Sequence, residues 1–361
     1  DDCPMTILSA RPTSPASVDA GLVSQALVSQ ALVSQAVVSQ APAAVLMVRP
    51  HHFRPNVEEC PDNHFMSLPT LTPTEHARRA FDEVTAMAEG LRALGVEVEL
   101  VDDIGTVTPD SVFPNNWFTT HADGTVVTYP MMAPSRRLER RVDVLDLLHD
   151  RYAVRRVLDL SEAERTGRHL EGTGVLVLDH VHRVAYVGRS DRTDETVLQR
   201  FSEEFGYAVV LFDTADRTGS PIYHTNVLMN VGTDLALVGT PVIAPADRPR
   251  VLDSLRATGH EVVELTMEQL EDFAGNALEV QGSQSRHLVM SARGVGSLTA
   301  AQRATIERRV PLHAVDIPAG DRLIERLRRH IFGGPRDRET RALPSGGEHH
   351  RHCTQPGPGK G

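Results

Sequence analysis

Between Ala44 and Pro318 one order of elements keeps returning: strand, strand, helix, strand, at spacings of roughly forty to sixty residues. Ala44–Arg49 reads as an apolar strand ended by Pro50. Thr72-Pro73-Thr74-Glu75 is a capping box with proline at the first helical position, which predicts a helix to about Leu94. Gly95 stops it, and Val96–Val101 alternates as a strand. Trp117–Thr120 and Thr125–Tyr129 flank Ala122-Asp123-Gly124 as a hairpin, followed by a helix over Ser135–Arg151 and a strand at Ala153–Leu158. The pattern recurs as the hairpin Gly174–Leu178/Arg183–Val187, the helix Asp194–Phe205 and the strand Ala208–Phe212. It recurs again as Asn226–Val231, Leu235–Val238, the helix Arg248–Thr258 and the strand Glu261–Leu265. Thr299-Ala300-Ala301-Gln302 caps a last helix reaching about Arg309, before the strand His313–Ile317. Hairpins mixed with crossover helices argue against a doubly wound sheet. They suit an α/β fold of small ββαβ units arranged around a centre, with chemistry on the loops that face it.

The two ends differ from this body. From Gly21 to Pro42 the pentad Leu-Val-Ser-Gln-Ala repeats four times with one variation. A period of five fits neither regular structure: each repeat turns the apolar pair by about 140° on a helix and flips its face in a strand. Residues 1–43 are therefore expected to be a disordered extension, 44–318 the catalytic-type domain, and 319–361 an atypical, mostly disordered tail. Asp321–Ile331 can form a short helix within that tail.

A formal net charge of −11 argues against a general nucleic-acid binder. No run of about twenty apolar residues predicts a membrane span. Cys3, Cys60 and Cys353 are too few and too scattered for a disulfide framework, so a reducing, cytoplasmic setting is expected.

Five polar clusters fall at the ends of expected strands. Phe113–His121 offers Asn115, Asn116 and His121 to orient a planar polar ligand; structurally, the asparagines can cap turns while Trp117 packs. Leu170–Gly174 places Glu171 before two glycines, where backbone approaches a ligand closely; it can equally be a glutamate before a turn. Gly188–Thr193 carries Arg192, whose guanidinium can fork onto a carboxylate or lie on a solvated surface. Tyr223–Asn226 sets His224 two residues from Asn226, a proton shuttle beside an orienting amide, or a structural histidine at a strand entrance. Gly275–Glu279 is a turn leading into a strand.

In their order and spacing these clusters, with Met47-Val48-Arg49-Pro50, resemble the arginine deiminase-like guanidino-modifying superfamily. That superfamily includes dimethylarginine hydrolases and amidinotransferases, and the chain looks most like its bacterial citrulline-hydrolase branch. The resemblance covers about Met47 to Pro318. It implies a five-bladed α/β propeller (pentein-like) with the active site in the central channel, and hydrolysis of a carbon–nitrogen bond in a guanidino or ureido amino acid. It implies no cofactor and no metal. Residue by residue, it makes Glu171 the carboxylate that holds the ligand nitrogens and His224 the general acid/base. Arg192 holds the substrate carboxylate and Asn115 lies near the substrate. His121 and Asn226 stand where relatives carry aspartate, which points to a less cationic, ureido ligand.

The family's chemistry also needs a thiolate. In relatives it lies in a GGGS-x-R-C stretch shortly after the last Ile-Pro strand. Here Asp316-Ile317-Pro318 is followed by Ala319-Gly320-Asp321-Arg322, and the next cysteine, Cys353, comes thirty-five positions after Pro318. Three explanations stand: a shift of reading frame in the tail, Cys353 acting from the tail, or a non-catalytic homologue that binds a ligand or partner. Amidino transfer is a further alternative. The histidines of His349–Cys353 are read as incidental rather than as a metal site.

Overall fold

The computed structural model describes residues 38–54, 56, 58 and 72–315. Cys3, Cys60, Cys353, the pentads before residue 38, the short tail helix and the tail from residue 316 onward lie outside the described residues. The capping box behaves as its sequence predicts. Thr72 Oγ1 accepts from Glu75 N, the Glu75 carboxylate accepts from Thr72 N, and the helix runs Pro73–Ala93. His76, Ala80, Val84, Met87, Ala88 and Leu91 are buried on it, a spacing of three and four that makes one apolar stripe. That stripe covers the parallel pair β1 (Ala44–Pro50) and β2 (Glu97–Asp103). Each of its large apolar side chains contributes about 1.5–3 kcal/mol by leaving water.

Four three-stranded sheets follow. They are β3 (Phe118–Thr120), β4 (Thr125–Thr128) and β5 (Arg156–Asp159); β6 (Val177–Asp179), β7 (Val184–Gly188) and β8 (Ala208–Phe212); β9 (Met229–Val231), β10 (Leu235–Val238) and β11 (Glu261–Glu264); and β12 (Leu278–Gln281), β13 (Arg286–Ser291) and β14 (Leu312–Val315). In each, the first strand pairs antiparallel with the middle one, and the middle strand pairs parallel with the third after a helical crossover. The first strands face the centre, where β6 touches β9 and β9 touches β12. The β1–β2 sheet repeats the parallel pair alone, so β1 holds the middle-strand position; no first strand pairs with it among the described residues. Five small sheets around a centre match the ββαβ units that the recurrence predicts and the five-bladed α/β propeller that the resemblance implies.

Several expectations need correction. The single helix over Ser135–Arg151 is two, Pro134–Arg137 and Val142–Arg151. The break has a tertiary cause: Arg136 and Glu139 are both buried and bind each other at 2.9 Å, while Arg140 turns away to Glu164. Gly174 and Val175 belong to a single helical turn, Gly172–Val175, and the strand begins only at Val177. Met267–Glu271 and Ala292–Ser297 form short helices, and Arg286–Ser291 forms β13, none of which the patterning predicts.

The body also starts earlier than Ala44. Gln40, the last glutamine of the pentads, is buried. Its Nε2 donates to Leu178 O at 2.8 Å and Val231 O at 2.9 Å, and its Oε1 accepts from His180 N at 2.8 Å. Gln281 N donates to Pro42 O. These acceptors and donors lie at the ends of β6, β9 and β12, so residues 40–42 close the side of the ring where the central strands finish. Gln40→Ala would strand these three backbone groups. We expect it to lower the unfolding free energy by about 2–4 kcal/mol, read as a shifted urea midpoint with unchanged slope.

Candidate active site

Four of the five polar clusters stand where a central strand begins. Pro114–Asn116 is a turn of 3-10 helix before β3, and Thr225–Val227 is another before β9. Gly172–Val175 is the helical turn before β6, and Gly275-Asn276 precedes β12. The turns press on one another. A Cβ on Gly172 would lie 2.3 Å from Asn115 O, and Gly172 itself has φ +41°. A Cβ on Gly174 would lie 2.9 Å from both Asn116 Oδ1 and His224 Nε2. Glycine at both positions is what lets the Glu171 loop reach between its neighbours.

At the centre of this cluster Glu171 is fully buried, with Oε2 facing His224 Nε2 at 2.8 Å and Arg192 Nη1 at 3.2 Å. Its Oε1 accepts from Met132 N at 3.0 Å. Burial pushes the Glu171 carboxyl up. The Arg192 charge, the hydrogen bond and charge of His224 and the more distant Arg136 outweigh it and hold the group well below the ordinary glutamate range. The His224 ring leans on Tyr223, and the Arg192 guanidinium lies 4.8 Å over the same tyrosine. Asn226 Nδ2 donates to Thr173 O at 3.1 Å, tying the histidine turn to the glutamate turn. The adjoining pocket is lined by Phe113, Asn115, Asn116, Arg136, Tyr223, His224, Asn226, Val227 and Asn276. Asn115 Oδ1 in that lining is buried and accepts no hydrogen bond among the described residues, an acceptor poised for a ligand N–H.

Asn115, Glu171, Arg192, His224 and Asn226 therefore meet in one place. Arg192, expected to hold a substrate carboxylate, is 1% exposed and places Nη1 on the Glu171 carboxylate. His121 does not belong to the cluster. It follows β3 at the strand's far end, stacks on Phe205 with ring centroids 4.0 Å apart, and bonds Thr119 Oγ1 at 3.0 Å. Burial, with the neighbouring His180, Arg183 and Arg156, lowers its pKa well below the usual histidine value. His121 is thus a neutral core histidine, which corrects the expectation of a substrate contact. Cys353 lies outside the described residues, and the described residues contain no cysteine.

Sequence reasoning missed Arg136, Tyr223 and Asn276 as lining residues. Arg136 sits in Arg136-Arg137-Leu138-Glu139-Arg140-Arg141, which reads like a solvated helix face. Its only signal was the i,i+3 match to Glu139. Away from this pocket, Asp179, His182 and His260 converge on the far side of β6, a group that no spacing rule connects.

The profile of the family described as N,N dimethylarginine dimethylhydrolase, eukaryotic, matches residues 49–323. No curated protein matches the chain. Among solved structures, the chain is similar to the substrate-bound N-terminal domain of ArgZ, an arginine dihydrolase from the ornithine–ammonia cycle in cyanobacteria. The identity is 15% and the TM-score 0.60, over 81% of this chain and 98% of that one. A complex of AgrE with L-arginine aligns at 15% identity and TM-score 0.59, over 82% and 41% of the two chains. A dimethylarginine dimethylaminohydrolase adduct with 4-chloro-2-hydroxymethylpyridine aligns at 13% and 0.51, over 76% and 92%. These likenesses are in fold, and the profile match spans more than half of the sequence. The chain belongs to the N,N dimethylarginine dimethylhydrolase family of the guanidino-modifying, arginine deiminase-like enzymes.

Proposed function

We propose that the chain binds a ureido or guanidino amino acid of the citrulline–arginine type at the Glu171–His224 pair, and that its hydrolytic step is impaired for want of a placed thiolate. The observation that carries the reading is a fully buried, ionised carboxylate bonded to an imidazole beside a polar pocket. Glu171 accepts ligand N–H groups and fixes the plane of the ligand. Asn115 Oδ1 supplies a further acceptor, and Asn226 and Arg192 hold the two turns in place.

In the complete reaction a cysteine thiolate adds to the central carbon of the ligand, forming a carbon–sulfur bond. The carbon–nitrogen bond then breaks and the imidazole of His224 protonates the departing ammonia or amine. Water adds to the same carbon, gives its proton to the imidazole, and the carbon–sulfur bond breaks to regenerate the thiolate. Glu171 and His224 serve binding and proton transfer in that sequence; neither replaces the sulfur attack. Amidino transfer would use the same pair with an amine in the place of water. The scattered cysteines support a reducing, cytoplasmic setting for this chemistry.

The pocket lining supports an uncharged ureido group over a guanidinium. Asn226 lines it as a neutral amide, and the Glu171 carboxylate beside it already faces Arg192 and His224, so a further buried cation there would be poorly compensated. Titration calorimetry with the full chain should therefore give citrulline an affinity at least about tenfold above that of arginine, a gap of about 1.4 kcal/mol. Equal or tighter arginine binding would sink the preference. Binding of neither would sink the site.

A further inference from the structure

We propose that Asp179, His182 and His260 form a three-ligand site for a divalent transition-metal ion of the zinc class, on the face of the ring opposite the Glu171 pocket. Asp179 ends β6, His182 stands in the turn to β7, and His260 immediately precedes β11 of the next sheet. An ion there would pin two neighbouring sheets together. Asp179 Oδ2 lies 2.9 Å from His182 Nδ1 and 3.8 Å from His260 Nε2, and the three candidate donor atoms lie within 4.8 Å of one another. Donors about 2.0–2.1 Å from a tetrahedral zinc ion stand ~3.3 Å apart, so small side-chain rotations bring all three onto one centre.

The donor set suits such an ion. The Asp179 side chain is 1% exposed, and its ion-pair partners among the described residues are two imidazoles. Its other hydrogen bond comes from His182 N, at 2.9 Å. One carboxylate and two imidazoles are a donor set that a divalent transition metal of this class takes.

The second shell also suits a ligand. His260 Nδ1 lies 2.9 Å from Thr258 Oγ1, and that hydroxyl reaches Leu255 O at 3.0 Å. Without an ion, His260 Nε2 donates to Gly232 O at 3.1 Å; an ion on the Asp179 side would take that proton's place, leaving the ring proton on Nδ1 to donate to Thr258 while Thr258 donates to Leu255 O. An imidazole oriented through its other nitrogen is the arrangement that metal-binding histidines use. The His182 side chain is 38% exposed, which leaves one side of the site open to a water ligand.

The test uses the full chain, stripped with a chelator and titrated with Zn²⁺ by calorimetry and with Co²⁺ by visible absorption. One equivalent should bind, with the d–d bands of a low-coordinate site. A variant with His349, His350 and His352 changed to Ala and Cys353→Ser should keep that equivalent. His182→Ala, at a half-exposed turn, and His260→Asn should each lose at least about tenfold in affinity, and Thr258→Val should lose about 10–100-fold. Zn²⁺ should raise the melting temperature of the natural chain and not of His182→Ala. Unchanged affinity in folded His182→Ala, or loss of the equivalent in the tail variant, would overturn the site. Either result leaves the Glu171 pocket untested and intact.

Discussion

Glu171→Gln should lower the unfolding free energy at neutral pH by about 3–5 kcal/mol. Glutamine matches the shape of glutamate, and its Oε1 can still accept from Met132 N. What disappears is the negative charge between Arg192 and His224. The Arg192 and Glu171 side chains are 1% and 0% exposed, so the charge is lost in a place shielded from water. The destabilisation should depend on pH. The folded pKa of Glu171 is depressed, so its stabilisation is fully present above the ordinary glutamate value and is lost as pH falls through the folded value. Urea unfolding should show a wide gap between natural chain and variant at neutral pH, closing as the buffer becomes strongly acidic. A gap that stays constant on acidification would mean that the charge is not what stabilises the site. Citrulline binding should vanish in the variant under conditions where circular dichroism still reports a folded chain.

Gly172→Ala should be nearly as damaging, for steric rather than electrostatic reasons. The added methyl would sit 2.3 Å from Asn115 O and 2.9 Å from Asn116 O, both of them backbone atoms that cannot rotate away. The residue also has a positive φ that an L side chain adopts only with strain. Overpacking and strain together should cost about 3 kcal/mol, and the turn carrying Glu171 should move off the Asn115 turn. Gly174→Ala is the informative contrast. Its methyl would meet the movable side chains of Asn116 and His224. It should cost less stability and still weaken ligand binding by displacing the imidazole from Glu171. If Gly172→Ala melts like the natural chain, the turns are not packed as described.

Much of this was legible in the chain. The capping boxes at Thr72/Glu75 and Thr299/Gln302 form as their spacing dictates, because both partners lie within one turn. The paired strands with crossover helices gave the ββαβ units, and the glycines around Glu171 signalled a close backbone approach. What escaped depends on partners distant in sequence. Gln40 looks like one more pentad glutamine until Leu178 and Val231 are brought to it by the ring. Arg286 and His287 open β13 without apolar alternation, because Arg286 turns to Glu279 rather than to solvent. His121 sits six residues from Asn115 in sequence, yet a short strand carries it to the opposite end of the sheet and into the Phe205 core. Arg192 was recognisable as a site residue, but its service to Glu171 was not, since the pair spans 21 positions.

On the function proposed above, the carboxylate–histidine pair of Glu171 and His224 persists without a placed thiolate. The most direct measurement is release of ammonia or amine from citrulline, arginine and methylated arginines by the purified full chain, beside Cys353→Ser. No release above the protein-free background is expected from either chain, together with saturable citrulline binding. Turnover by the natural chain that Cys353→Ser abolishes would contradict it, and would make the tail cysteine the nucleophile.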